Sequence, residues 1–157
     1  GVIVSRWLKG SPPSPYYADL VKFEGNSDRL QHYEMCLPAI ALNKSVYTPE
    51  GTGGRGKAPI DMTYINISYN FMTPIDEDNT RYFWFQHRNT DPNDKDISAK
   101  MNDGALMAFL EDKEILEDVH IGMKNPVTPN IDLGLDSGAK KFRILLNRRI
   151  KDEQDNS

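Results

Sequence analysis

One cysteine, three histidines and no apolar run of membrane-spanning length set the first limits on this 157-residue chain. Cys36, standing alone, cannot close an internal disulfide and fits a reducing compartment, so a cytoplasmic location is expected. His32, His87 and His120 form no HxxxH or HExxH pair, the usual signature of a metal site built by one helix. A basic excess is missing too: 19 Lys and Arg stand against 23 Asp and Glu, a net charge of -4, with the acids spread along the chain. That balance argues against a nucleic-acid partner, and the want of a long apolar stretch argues against a membrane one. The opening "GVIVSRWLKG" has no initiator Met and no basic leader, and its strand-like pattern reads as a piece that starts inside a fold.

What is present is organised in two halves within a length that suits one domain, residues 1–157. "VIVSRWL", "RLQHYEMCL" and "AIALNKSVY" read as strands, the last two split by Pro38 and the last closed by the glycine-rich "TPEGTGGRG". "YYADLVKF" is compatible with helix or strand. "MTYINISYNFM" alternates, with Ile65, Ile67, Tyr69 and Phe71 on one face and Asn66, Ser68 and Asn70 on the other. The turn "TPIDEDNT" leads to an aromatic strand, "RYFWFQHR", completing an antiparallel meander. The period then lengthens to about 3.6, predicting a long helix from about Ile97 to Met123 that "KNPVTPN" ends. A second helix over "LDSGAKKFRILLNRRIKDEQ" aligns Phe142, Leu145, Leu146 and Ile150, with Asp136 or Ser137 as N-cap and a disordered polar tail. Strands first and helices last predict an α+β fold: a curved antiparallel sheet around a long helix, the helix-grip arrangement.

The long helix carries five acids between Glu111 and Asp118. At about 100° per residue, Ala105, Ala108, Phe109, Ile115, Leu116 and Val119 lie within about 60° of Asp112, whereas Glu111, Glu114, Glu117 and Asp118 point away. Asp112 thus sits within an apolar stripe, and a carboxylate buried there needs a proton, a base or a metal. The pattern leaves three readings open: a buried ion pair with Arg, an acid at a groove edge, or a metal ligand or catalytic acid. His120, eight residues on, is about 12 Å along the axis and cannot share an ion with it. On the strands, Ala41, Asn43 and Ser45 share one face, as do Asn66, Ser68 and Asn70. Such small and amide side chains either meet water or orient a polar substrate.

The run "NFMTPIDEDNTRYFWFQHRN", then "GALMAFLEDKEILEDVH" and "DSGAKKFRILLNRRIKDEQ", resembles the C-terminal catalytic domain of Rieske non-haem iron oxygenase α subunits, nearest the vanillate and dicamba O-demethylase group. The resemblance is thin before Ala39 and strong from Asn70 to His120. It implies that Asp112 is the carboxylate of a two-His, one-carboxylate site for mononuclear Fe(II), and that Asn43 and Asn70 bind substrate. It further implies an aromatic small-molecule substrate, O₂, oxidative demethylation or ring hydroxylation, electrons from a ferredoxin or reductase, and a homotrimer when full length. The family's [2Fe-2S] cluster is held by an N-terminal Rieske domain, whose Cys-x-His and Cys-x-x-His motifs this chain lacks. Two iron-ligating histidines lie upstream in the family as well, so a fragment inactive alone is expected. The rival reading is a non-catalytic helix-grip module holding a small apolar ligand, for which a lone carboxylate at the helix centre has no use.

Overall fold

The computed structural model describes residues 1–53, 57–125 and 131–156. Five strands run in chain order: β1 (Val2–Ser11), β2 (Ser27–Cys36), β3 (Ile40–Pro49), β4 (Tyr64–Pro74) and β5 (Thr80–Arg88). Each pairs antiparallel with its neighbour in sequence, giving one curved open sheet of order β1-β2-β3-β4-β5 with β1 and β5 at its edges. Two helices follow, α1 (Lys95–Lys124) and α2 (Ser137–Asp155). The molecule is therefore α+β, with the element complement of a helix-grip fold. It divides into two compact units, Gly1–Thr90 with Leu133–Ser157, and Asp91–Asp132.

In the sheet unit, short turns enforce register. Leu37, Pro38 and Ala39 bring Cys36 opposite Ile40, and the 75–79 turn brings Pro74 opposite Thr80. In that turn Asp76 Oδ1 accepts from the backbone N–H groups of Asp78 and Asn79, an Asx turn. Those bonds, led by the Asp78 N–H, hold the Asp76 carboxyl below its ordinary value. β1 ends irregularly between Leu8 and Ser11, where Gly10 takes φ +58°, a conformation open to glycine. Buried Asp28 ties that bend to the far end of β3, accepting from Gly10 N at 3.2 Å and Gly53 N at 2.9 Å. The remainder of "TPEGTGGRG", residues 54–56, lies outside the described residues.

"YYADLVKF", open on sequence, forms neither helix nor strand but a series of turns that folds over the sheet. Tyr17 packs its ring 5.1 Å from Tyr47 and 5.5 Å from Tyr64, with Tyr16 edge-on to it at 4.8 Å. Tyr47, Tyr64 and Leu20 are almost wholly buried, so this end of the sheet carries the core. α2 approaches β1 at Gly138, where a methyl group would meet Val4 Cγ2 at 2.7 Å. Phe142, Leu145 and Leu146 are half-buried on α2, while Ile150 is exposed. Asp136 occupies the N-cap position without capping; its carboxylate accepts from Leu133 N at 2.7 Å. The tail expected to be disordered continues α2 to Asp155.

The other unit is built on α1, whose 30 residues extend about 45 Å. Asp94 caps it, accepting from Asp96 N and Ile97 N, each at 2.9 Å. The segment predicted to end this helix lies largely in 126–130, outside the described residues. No helix among the described residues is long and apolar enough to cross a membrane.

Candidate functional site

Strand register decides which side chains meet. On one face of the sheet the rows are Val2, Met35, Ala41, Asn70 and Trp84, then Val4, Tyr33, Asn43, Ser68 and Gln86, then Arg6, Gln31, Ser45, Asn66 and Arg88. The amide and hydroxyl residues of β3 and β4 thus fall beside one another, and Asn43 and Asn70 become diagonal neighbours. The opposite face carries Leu42, Ile65, Ile67, Tyr69, Phe71, Phe83, Phe85 and His87.

The polar face is the more covered of the two. Gln31, Ser45, Asn66 and Ser68 are all buried, whereas Phe83 and Phe85 on the other face are exposed. The tyrosine turns close one end of it: Asn66 Nδ2 donates to Tyr17 Oη at 3.1 Å, and Tyr16 Oη donates to Gln86 Oε1 at 3.2 Å. Burial raises the pKa of all four tyrosines here. For Tyr17 the bonds to Asn66 and Ser45 oppose that effect, whereas Tyr17 and Tyr16 add to the rise at Tyr64. These phenols stay neutral donors at any ordinary pH.

Hydrogen bonding on this face is incomplete. Arg29 Nε, Asn43 Oδ1, Tyr64 Oη and Asn66 Oδ1 are buried without a protein hydrogen-bond partner, and all four lie on the polar face, Arg29 and Tyr64 in the next row with Tyr47. Buried polar atoms are almost always satisfied, so such a concentration marks a place for water or a polar ligand. Asn43 is half-buried, with its acceptor oxygen buried and free of any protein hydrogen bond. Asn70 is differently placed: Tyr82 Oη donates to its Oδ1, and its Nδ2 donates to Ala41 O at 3.3 Å. It is a braced wall beside Asn43, able to bind a ligand only by exchanging those bonds. The alternation that exposed Asn43 and Asn70 also runs through β2 and β5, and would have added Gln31, Tyr33, Gln86 and Arg88 to the face.

Asp112 lies on α1, in the other unit. It shares its azimuth with Ala105, which is buried, and with Phe109, which is half-buried, as the periodicity predicts. The expectation of a buried acid is corrected: Asp112 is exposed, and Ile115, Leu116 and Val119 are 62%, 64% and 50% exposed. A helical period sets the azimuth of a side chain and says nothing of what covers it. Among the described residues no side-chain hydrogen bond or ion pair engages Asp112.

A lone carboxylate oxygen donor suits Fe(II), but the remaining ligands of a facial set are not assembled here. On β2, His32 is held by Ser5 of β1 and by Glu34; on β5, His87 lies edge-on to Tyr69 of β4 and tilted against Phe85; and among the described residues no three His, Cys, Asp or Glu side chains converge. The residues present therefore fit one ligand of such a site and do not complete it.

Residues 1–152 match the family model described as the vanillate O-demethylase oxygenase C-terminal domain. A toluene-4-sulfonate monooxygenase system iron-sulfur subunit of Comamonas testosteroni is 32% identical over 155 residues, covering 96% of this chain and 44% of that protein. A vanillate O-demethylase oxygenase subunit of Pseudomonas sp. strain ATCC 19151 is 26% identical over 159 residues, covering 98% of this chain and 48% of that protein. The chain spans about half the length of the curated relatives it matches. No solved structure matches it.

Proposed function

Because the chain belongs to the vanillate O-demethylase oxygenase C-terminal domain family, we propose that it is the substrate-binding and iron-ligating part of an oxygenase acting on an aromatic small molecule. The single observation that carries this reading is the polar sheet face with its unmet hydrogen-bonding atoms, Asn43 Oδ1 foremost. Asn43 accepts a hydrogen bond from a polar substituent of the substrate, while Asn70, braced by Tyr82 and Ala41, holds the neighbouring wall. Asp112 supplies the carboxylate ligand to mononuclear Fe(II), and two histidines come from the part of the full-length subunit that this chain does not include. Iron, when held, supplies the redox chemistry and open coordination positions for O₂.

In the proposed full-length enzyme a [2Fe-2S] cluster in the N-terminal half passes electrons from a ferredoxin or reductase, the subunits form a homotrimer, and the product follows from oxidative demethylation or ring hydroxylation. Iron analysis of the full-length subunit tests the core of this. Asp112→Ala is expected to lose mononuclear iron and turnover while keeping the visible absorption of the cluster. Stoichiometric mononuclear iron in the variant would overturn the assignment.

A further inference from the structure

On the face of the sheet opposite the polar rows lies a groove of about 640 Å³, floored by Trp7, Leu30, Val46 and Ile65 and walled by Ala58 and Ile60. Its size is within the range of small-molecule sites, roughly 300–1,000 Å³. One polar row, Ser5, His32 and Lys44, crosses this groove, set side by side by the register of β1, β2 and β3. Two of the three are satisfied: Ser5 Oγ and His32 Nδ1 are 2.8 Å apart, and His32 Nε2 lies 3.5 Å from Glu34 Oε2. Lys44 is half-buried with its ammonium open to solvent, and among the described residues no hydrogen bond or carboxylate answers it.

A half-buried cation beside an apolar floor, with the adjacent carboxylate already turned to histidine, is complementary to a flat apolar body bearing one anionic oxygen group. We infer that this groove is a second ligand site, separate from the polar face, for an aromatic carboxylate or sulfonate. The ring lies against Trp7, Leu30 and Val46, and the anionic oxygens meet Lys44 Nζ. Glu34, on the same face, is turned to His32, its Oε2 lying 3.5 Å from Nε2.

Trp7 and Trp84 are on opposite faces, so Trp84→Phe leaves an indole that reports on this groove alone. In that background, benzoate and toluene-4-sulfonate are each expected to change Trp7 emission saturably, and whichever binds more tightly identifies the preferred anion. Lys44→Gln is expected to weaken the anions about tenfold, the loss of one screened charge-assisted bond, without changing the weaker response to neutral benzamide. Lys44→Arg is expected to restore most of the affinity, which guards against a folding defect. An absent saturable response, an unchanged benzoate affinity in Lys44→Gln, or binding abolished by Asn43→Leu instead would each overturn the inference. None of these readouts involves iron or Asp112, so failure here leaves the oxygenase reading standing and the reverse also holds.

Discussion

Asn43, the substrate contact of the proposed site, is a liability to the fold. Its buried acceptor has no protein partner, and an unsatisfied buried polar atom costs about 1–3 kcal/mol. Asn43→Leu is therefore expected to leave the melting temperature unchanged or raise it, while KM of the proposed full-length oxygenase for the proposed aromatic substrate rises severalfold. A clear loss of stability would show that Asn43 serves the fold instead. Asp28 is the opposite case, a buried carboxylate fully used by two backbone N–H groups. Asp28→Ala orphans both donors and should destabilise the protein by about 2–4 kcal/mol, read as a lowered urea midpoint.

Among the elements, α1 poses the sharpest question, since its apolar stripe is covered at Ala105 and bare from Ile115 onward. A charge placed at a buried position must be desolvated without compensation, whereas surface changes usually fall within about 0.5 kcal/mol. Ala105→Asp is expected to lower thermal stability sharply and Leu116→Asp hardly at all. Equal effects of the two would mean that the stripe is covered along its whole length. At the head of the same helix, Asp94→Ala removes two capping bonds and should cost about 1 kcal/mol in chemical denaturation.

For the molecule as a whole, the tyrosine cluster ties cooperative stability to alkaline pH. Burial raises the folded-state pKa of Tyr16, Tyr17, Tyr47 and Tyr64 above the ordinary phenol value of about 10. A group with a raised folded pKa contributes fully below its unfolded pKa and loses that contribution as pH climbs toward the folded value. Stability should therefore hold up to about pH 10 and decline above it. Phenolate absorbance near the cluster should appear only together with loss of far-UV circular dichroism. Four tyrosines ionising freely in a folded chain at that pH would contradict the packing.

Strand and helix identities were legible because they rest on local periods: alternation placed Asn66, Ser68 and Asn70 together, and the 3.6-residue period placed Asp112 with Ala105 and Phe109. The α+β class followed from the same patterns, whereas the register of β3 against β4 decided that Asn43 and Asn70 share a face. Cover was not legible. Alternation says that Asn43 and Phe71 point opposite ways, but only the tertiary path of Tyr16 and Tyr17 decided that the polar face would be buried and the aromatic face left open. The same holds for Asp112, whose azimuth was written in the residues beside it and whose exposure was not. Burial depends on segments distant in sequence and on the space they leave, which no local period encodes.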